Sequence, residues 1–166
     1  MPYKITITGL VQGVGFRPFV YRKAQKKGLF GYVKNAGRGV ELVVNKKIDI
    51  AKFFANKPPM SRIDNVKIKK VTSMEVPANF SIKSSSRQTG SAEVPPDIFL
   101  CPECLRDLRN PKSRRYKYPF ISCTNCGPRY TVISATPYDR KQTSMKEFNL
   151  CPDCRQEYQD ANTRWY

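Results

Sequence analysis

The sequence predicts an α+β fold in two pieces, and three observations carry that prediction. Residues 1–83 switch repeatedly between the two-residue apolar alternation of a strand and the wider spacing of a helix. A polar run without periodicity follows at residues 84–91. All six cysteines come after residue 100, as three Cys-x-x-Cys pairs in a segment with little continuous apolar pattern. A chain of 166 residues, 40% hydrophobic, can bury one good core, or one small core plus a module held by something other than apolar packing. The placement of the cysteines favours the second arrangement.

Residues 3–10 alternate as a first strand. Residues 18–27 read as a helix with apolar Phe19, Val20 and Ala24; Pro18 sits in the first turn, where its missing N–H costs nothing, and Gly28 ends the helix. Two β-rich runs, 29–34 and 40–44, flank the cluster Asn35-Ala36-Gly37-Arg38-Gly39, which suits a hairpin turn. A second helix fits residues 48–56 and is ended by Pro58 and Pro59; residues 63–74 alternate again, and 80–83 make a short edge strand. The order is βαββαβ with a short final strand, the split-βαβ or ferredoxin-like sandwich, an antiparallel sheet with both helices on one face. The expected division is a first domain at 1–85, a linker at 86–96 and a second domain at 97–166, which is too short and polar to hold itself without a staple. No internal repeat is visible beyond the cysteine pairs themselves.

Thirty basic and 13 acidic residues give a net charge of +17 without any histidine. Such a field attracts anions. The basic residues are spread from Lys4 to Arg164, which reads as a solvated surface; nucleic acid is not the expected partner, whereas a small phosphate-bearing substrate gains from the same field. No run of 18 apolar residues occurs and the N-terminus enters a strand at once, so neither a membrane span nor a signal peptide is expected and the location expected is cytoplasmic. A disulfide framework would need an oxidising compartment, which leaves metal ligation as the stronger reading of the paired thiols.

Between the first strand and the first helix lies a glycine loop. If residues 12–17 join the two, the backbone N–H groups of Gln12, Gly13, Val14, Gly15, Phe16 and Arg17 converge near the partial positive charge of a helix N-terminus, and Gly13 and Gly15 remove side chains that would block an approaching anion. Arg17 adds a rigid fork for two phosphate oxygens. The loop has neither the P-loop lysine nor dinucleotide-type glycine spacing, so a phosphoryl group rather than a nucleotide is the natural occupant. For Asn35 the residue itself suggests only a turn position tolerant of positive φ.

Cys101, Cys104, Cys123 and Cys126 form Cys-x2-Cys-x18-Cys-x2-Cys, the spacing of a four-thiolate structural zinc site. A closed shell of this kind leaves no position for catalysis, so its work is to hold the fold. Cys151 and Cys154 remain as half of a second site, which another pair beyond Tyr166 would complete; the chain is therefore expected to be the front part of something longer, or a remnant truncated in its second finger. Pairing could be sequential or crossed, with Cys101 and Cys104 meeting Cys151 and Cys154. Loop entropy separates the two only weakly, and sequential pairing is the expectation.

Val11-Gln12-Gly13-Val14-Gly15-Phe16-Arg17, with Gly31-Tyr32-Val33-Lys34-Asn35 and Gly39-Val40-Glu41, resembles the two signature regions of the acylphosphatase family, over residues 1–83. The resemblance implies that Arg17 and the loop amides bind the phosphoryl group and that Asn35 orients the attacking water. The residues around the cysteines, among them Cys101-Pro102-Glu103-Cys104, Arg114-Arg115-Tyr116-Lys117-Tyr118, Cys126-Gly127-Pro128-Arg129-Tyr130 and Pro137-Tyr138-Asp139-Arg140, resemble the zinc-finger region of the HypF carbamoyltransferase family of nickel-iron hydrogenase maturation. That second resemblance implies hydrolysis of carbamoyl phosphate as the first step of carbamoyl transfer toward the cyanide ligands. It also implies, in a full-length protein, a maturation partner that accepts the carbamoyl group on a cysteine; the adenylation and transfer domains of that family are absent from these 166 residues. Acyl phosphates carry a good leaving group, so positioning and charge stabilisation suffice and a chain without histidine can run the reaction. The alternative is a zinc-stabilised basic binding module for nucleic acid or a protein, its first domain a non-catalytic scaffold, with the aromatics among arginines at 114–118 as stacking surfaces.

Overall fold

A computed structural model describes residues 1–72, 76–85 and 92–166. The first domain contains β1 (Tyr3–Thr8), α1 (Phe16–Lys26), β2 (Gly31–Ala36), β3 (Gly39–Val44), α2 (Ile50–Phe54), β4 (Asn65–Lys70) and β5 (Phe80–Ile82). The sheet order is β4-β1-β3-β2-β5; every pair is antiparallel except β2 with β5. This is the expected ferredoxin-like α+β arrangement with its short edge strand.

Register explains the core. Ile5 and Val33 both lie opposite Leu42, and Ile7 and Asn35 both lie opposite Val40, so these residues share one face of the sheet. The same cluster contains Phe16, Val20 and Ala24 of α1 and Phe53 and Phe54 of α2, with the Phe16 and Phe54 rings stacked 5.5 Å apart. Residues of the opposite parity build a polar face. There Glu41, 5% exposed, is held by Lys4 at 2.7 Å and Lys34 at 3.2 Å and accepts a hydrogen bond from the Tyr32 hydroxyl at 3.1 Å. Burial alone would raise the Glu41 pKa, but the hydrogen bonds and charges of the two lysines outweigh it and keep the carboxylate below its ordinary value.

Several elements differ from the sequence expectation at their ends. Helix α2 starts at Ile50 because Asp49 caps it, accepting from the Lys52 N–H at 3.1 Å. Strand β2 continues through Ala36, which pairs with Gly39, so the hairpin turn shrinks to Gly37 and Arg38. Asn35 is thus a buried strand residue and not a turn residue with positive φ. The fourth strand is shorter than the alternation at 63–74, of which residues 73–75 lie outside the described residues. In the expected linker, residues 86–91 lie outside them too, whereas Ala92 and Pro95 are buried and belong to the packed structure.

The second domain holds α3 (Pro102–Arg109) and α4 (Pro152–Gln159), with short 3-10 turns at Arg140–Gln142 and Ser144–Glu147 between them. The expectation of no repeat is overturned here. Each helix has eight residues, a cysteine at its N-cap and a proline first, and each is followed by an arginine at the same offset, Arg114 or Arg164. The arginines are exchanged: Arg114 donates to Cys154 Sγ at 3.4 Å and to Glu157 at 2.7 Å on α4, while Arg164 donates to Cys104 Sγ at 2.9 Å and pairs with Asp107 on α3. The repeat is hidden in sequence because only the cysteines, the proline, the arginine and one tyrosine, Tyr116 or Tyr166, are identical between the two copies. Around this crossing the Trp165 ring lies under the guanidinium groups of Arg115, at 3.5 Å, and Arg164, at 4.0 Å, whereas Tyr118 and Phe120 face solvent.

Candidate active site and metal centre

The glycine loop is anchored by its apolar side chains. Val11, Val14 and Phe16 are each 1% exposed, pulled into the core of the first domain. Gly13 and Gly15 take φ of 70° and 74°, the left-handed region that favours glycine, and Gly15 caps α1. Among the described residues, no N–H group from residues 12–17 donates to a backbone carbonyl. Those donors gather at the N-terminus of α1, where the helix adds partial positive charge. Arg17 is the second residue of the helix and Asn35 reaches the same place from β2.

The second domain covers this loop. The backbone carbonyl of Tyr138 accepts from Arg17 Nη2 at 3.3 Å and from Asn35 Nδ2 at 3.4 Å. Asp139 pairs with Arg17 Nη2 at 2.8 Å through one oxygen and accepts from the Ser85 hydroxyl at 2.5 Å through the other. The Gln12 side chain, 2% exposed, is a strut: its oxygen accepts from the Tyr138 N–H at 3.2 Å and its nitrogen donates to the Gly39 carbonyl at 2.8 Å and the Gly37 carbonyl at 3.2 Å. A side chain at Gly13 would come within 3.0 Å of the Tyr138 ring and 3.1 Å of Pro95, and one at Gly15 within 3.2 Å of Thr124. The space freed by the two glycines is therefore filled by the second domain, a correction to the idea that it serves only an approaching anion. Arg129, 5% exposed, ties the parts together by donating to the Gly13 carbonyl at 2.7 Å and to the carbonyls of Cys126 and Cys123 at 2.5 and 2.9 Å.

Sequence reasoning found Gln12, Gly13, Val14, Gly15, Phe16, Arg17 and Asn35, and the structure brings them to one place. Ser85, Arg129, Tyr138 and Asp139 carry no site role in the sequence reading; the last three lie in the runs that resemble the HypF finger, but nothing local shows that they meet the glycine loop.

The structure also gathers the four thiols of the sequential pairing. The Sγ atoms of Cys101, Cys104, Cys123 and Cys126 all lie within 4.8 Å of one another, with neighbouring separations of 3.5 to 3.9 Å. A tetrahedral ion with zinc-sulfur bonds of about 2.3 Å would place its sulfurs about 3.8 Å apart, whereas a disulfide needs about 2.05 Å; the set fits zinc. Burial pushes Cys101 up to about 11 and raises Cys104, whereas hydrogen bonds hold Cys126 down against its burial. Cys151 and Cys154 lie apart from this cluster, on α4 beside Arg114, so the crossed pairing is not what the fold adopts.

Fold and site together define an acylphosphatase-type domain whose glycine loop is roofed by a four-cysteine finger. Residues 3–82 match the acylphosphatase family and residues 100–133 match the HypF finger. The acylphosphatase of Caldivirga maquilingensis is 36% identical over 86 residues, covering 48% of this chain and 90% of that protein. The probable carbamoyltransferase HypF of Methanocaldococcus jannaschii is 46% identical over 148 residues, covering 85% of this chain and 19% of that protein. A crystal structure of full-length HypF in the phosphate- and nucleotide-bound form superposes with a TM-score of 0.88 at 43% identity, over 99% of this chain and 22% of that one. The chain belongs to the acylphosphatase family, and its two domains in this order make it the counterpart of the N-terminal part of HypF. It spans about a fifth of the length of the HypF relatives it matches.

Proposed function

We propose that this chain hydrolyses acyl phosphates, carbamoyl phosphate first among them, as the opening step of carbamoyl transfer. The observation that carries the proposal is the run of N–H groups at residues 12–17, unengaged by backbone carbonyls among the described residues, with the Arg17 fork and the Asn35 amide beside it. The phosphate-bound state named for the similar HypF structure supports the same occupant. In the reaction, water attacks phosphorus in line with the bond to the acyl oxygen. That bond breaks, carbamate leaves with the electron pair, and one proton of the water passes to solvent. Arg17 and the loop amides hold the equatorial oxygens while Asn35 orients the water.

Cys101, Cys104, Cys123 and Cys126 would hold a structural zinc ion, whose contribution is to fix the finger against the loop. All six cysteines are free of disulfides, which suits the reducing cytoplasm we propose as the site of action. Among the described residues no helix is long and apolar enough to cross a membrane. In a longer protein the carbamate would pass to adenylation and then to a cysteine of a maturation partner. The test is phosphate release from carbamoyl phosphate by the chain and its Arg17→Ala variant. Release lost in the variant, at unchanged zinc content and melting temperature, supports the reading; equal release by both proteins, or none from a folded, zinc-loaded parent, sinks it. Retention of nucleic acid at low salt by an inactive parent would favour the binding-module alternative.

A further inference from the structure

We propose that Asp139 is a positioning residue for Arg17, so that the finger supplies part of the phosphate site of the first domain; this rests on the reading of Arg17 as the phosphate-binding group. A guanidinium carries five N–H donors in a planar fork. Asp139 and the Tyr138 carbonyl both take Nη2, and among the described residues Nη1 and Nε make no hydrogen bond. One nitrogen is fastened, and the remaining donors stay available to an anion. The fastening point is itself held from two sides, the second oxygen of Asp139 by Ser85 and the Tyr138 N–H by Gln12, and Gln12 is in turn held by the β2-β3 hairpin. The rotamer freedom of a long side chain is thereby removed before any ligand arrives. Arg17 keeps 20% of its side chain exposed, so the site stays open to a solute.

The opposing role for Asp139 is that of an internal anion that occupies the fork until substrate displaces it. A carboxylate in that role would grip two guanidinium nitrogens. Here it takes one, shares that nitrogen with a carbonyl, and spends its other oxygen on a serine. The two roles have effects of opposite sign.

The experiment measures inorganic phosphate affinity and the steady-state kinetics of carbamoyl phosphate for the 166-residue chain and its Asp139→Ala, Asp139→Asn and Ser85→Ala variants. Asp139→Ala is expected to weaken phosphate binding and lower kcat/KM about 10- to 100-fold, the scale of one hydrogen bond to a charged group. Asp139→Asn keeps an acceptor oxygen and is expected to recover most of that loss, and Ser85→Ala to show a smaller loss of the same kind. Zinc content and melting temperature are expected to stay level, which separates positioning from a structural role. Tighter or unchanged phosphate affinity in Asp139→Ala overturns the proposal; if that variant does not fold, the same outcome in Ser85→Ala does so. A parent that binds inorganic phosphate but does not turn over carbamoyl phosphate would fail the hydrolysis reading, while the role of Asp139 would still be decided by the phosphate affinities. A folded parent that binds no phosphate overturns both.

Discussion

Glu41 shows how a single residue sets a condition on the whole fold. It is a buried carboxylate that two lysines keep ionised, so its folded pKa lies below the ordinary value near 4.5. A depressed carboxylate contributes stability that is present above its unfolded pKa and is lost as pH falls through the folded one. We expect the urea midpoint of the chain to drop between about pH 6 and about pH 3, and Glu41→Gln to be less stable at the upper pH with a flatter profile below it. Parallel profiles for the two proteins would show that the Lys4-Glu41-Lys34 cluster does not carry the acid sensitivity. Asn35 teaches a different lesson at this scale. A reading confined to neighbours places it in a turn, but extension of β2 by two residues turns it inward beside Val33, on the face that leads to the helix N-terminus.

At the scale of elements, the loop before α1 and the second cysteine knuckle act as one part. Arg129 joins them: its guanidinium meets the carbonyls of Cys123 and Cys126 on one side and that of Gly13 on the other. Replacing Arg129 with methionine keeps much of the length and apolar stem but leaves the buried carbonyls of Cys123 and Cys126 and the partly buried carbonyls of Gly13 and Pro128 short of a donor. We expect this to cost about 1 to 3 kcal/mol per strongly affected acceptor. The loss should appear as a lower melting temperature together with a raised KM for acyl phosphate, because the amides of residues 12–17 lose their support. A raised KM without any thermal effect would place the arginine in ligand binding instead. The exchanged arginines of α3 and α4 make the two halves of the finger depend on each other, so Arg164→Ala is expected to weaken zinc retention at Cys104, measured by competition with a chromogenic chelator. Zinc retention equal to that of the parent would mean that the thiolates need no such partner.

For the molecule as a whole, the second domain is packed on the glycine loop of the first through Tyr138, Asp139 and Arg129. Stripping zinc with a chelator is expected to release the segment that carries Tyr138 and Asp139 and to lower hydrolysis at least as far as Asp139→Ala does, while the sheet of the first domain keeps its far-ultraviolet signal. Full activity after metal removal would show that the roof is dispensable.

The sequence by itself determined the order of strands and helices in the first domain, the glycine loop and its arginine, and the spacing of four thiols. Each of these is written in neighbouring residues: a period of two or of 3.6, a glycine between a strand and a helix, a pair of cysteines two residues apart. The tertiary structure alone decided that Asn35 faces the core, that the arginines cross between repeats, and that residues 138 and 139 close on Arg17 from 121 and 122 positions away. No periodicity spans such a distance. The two parts of the chain meet through side-chain hydrogen bonds and shape, and those are fixed only when the chain is packed.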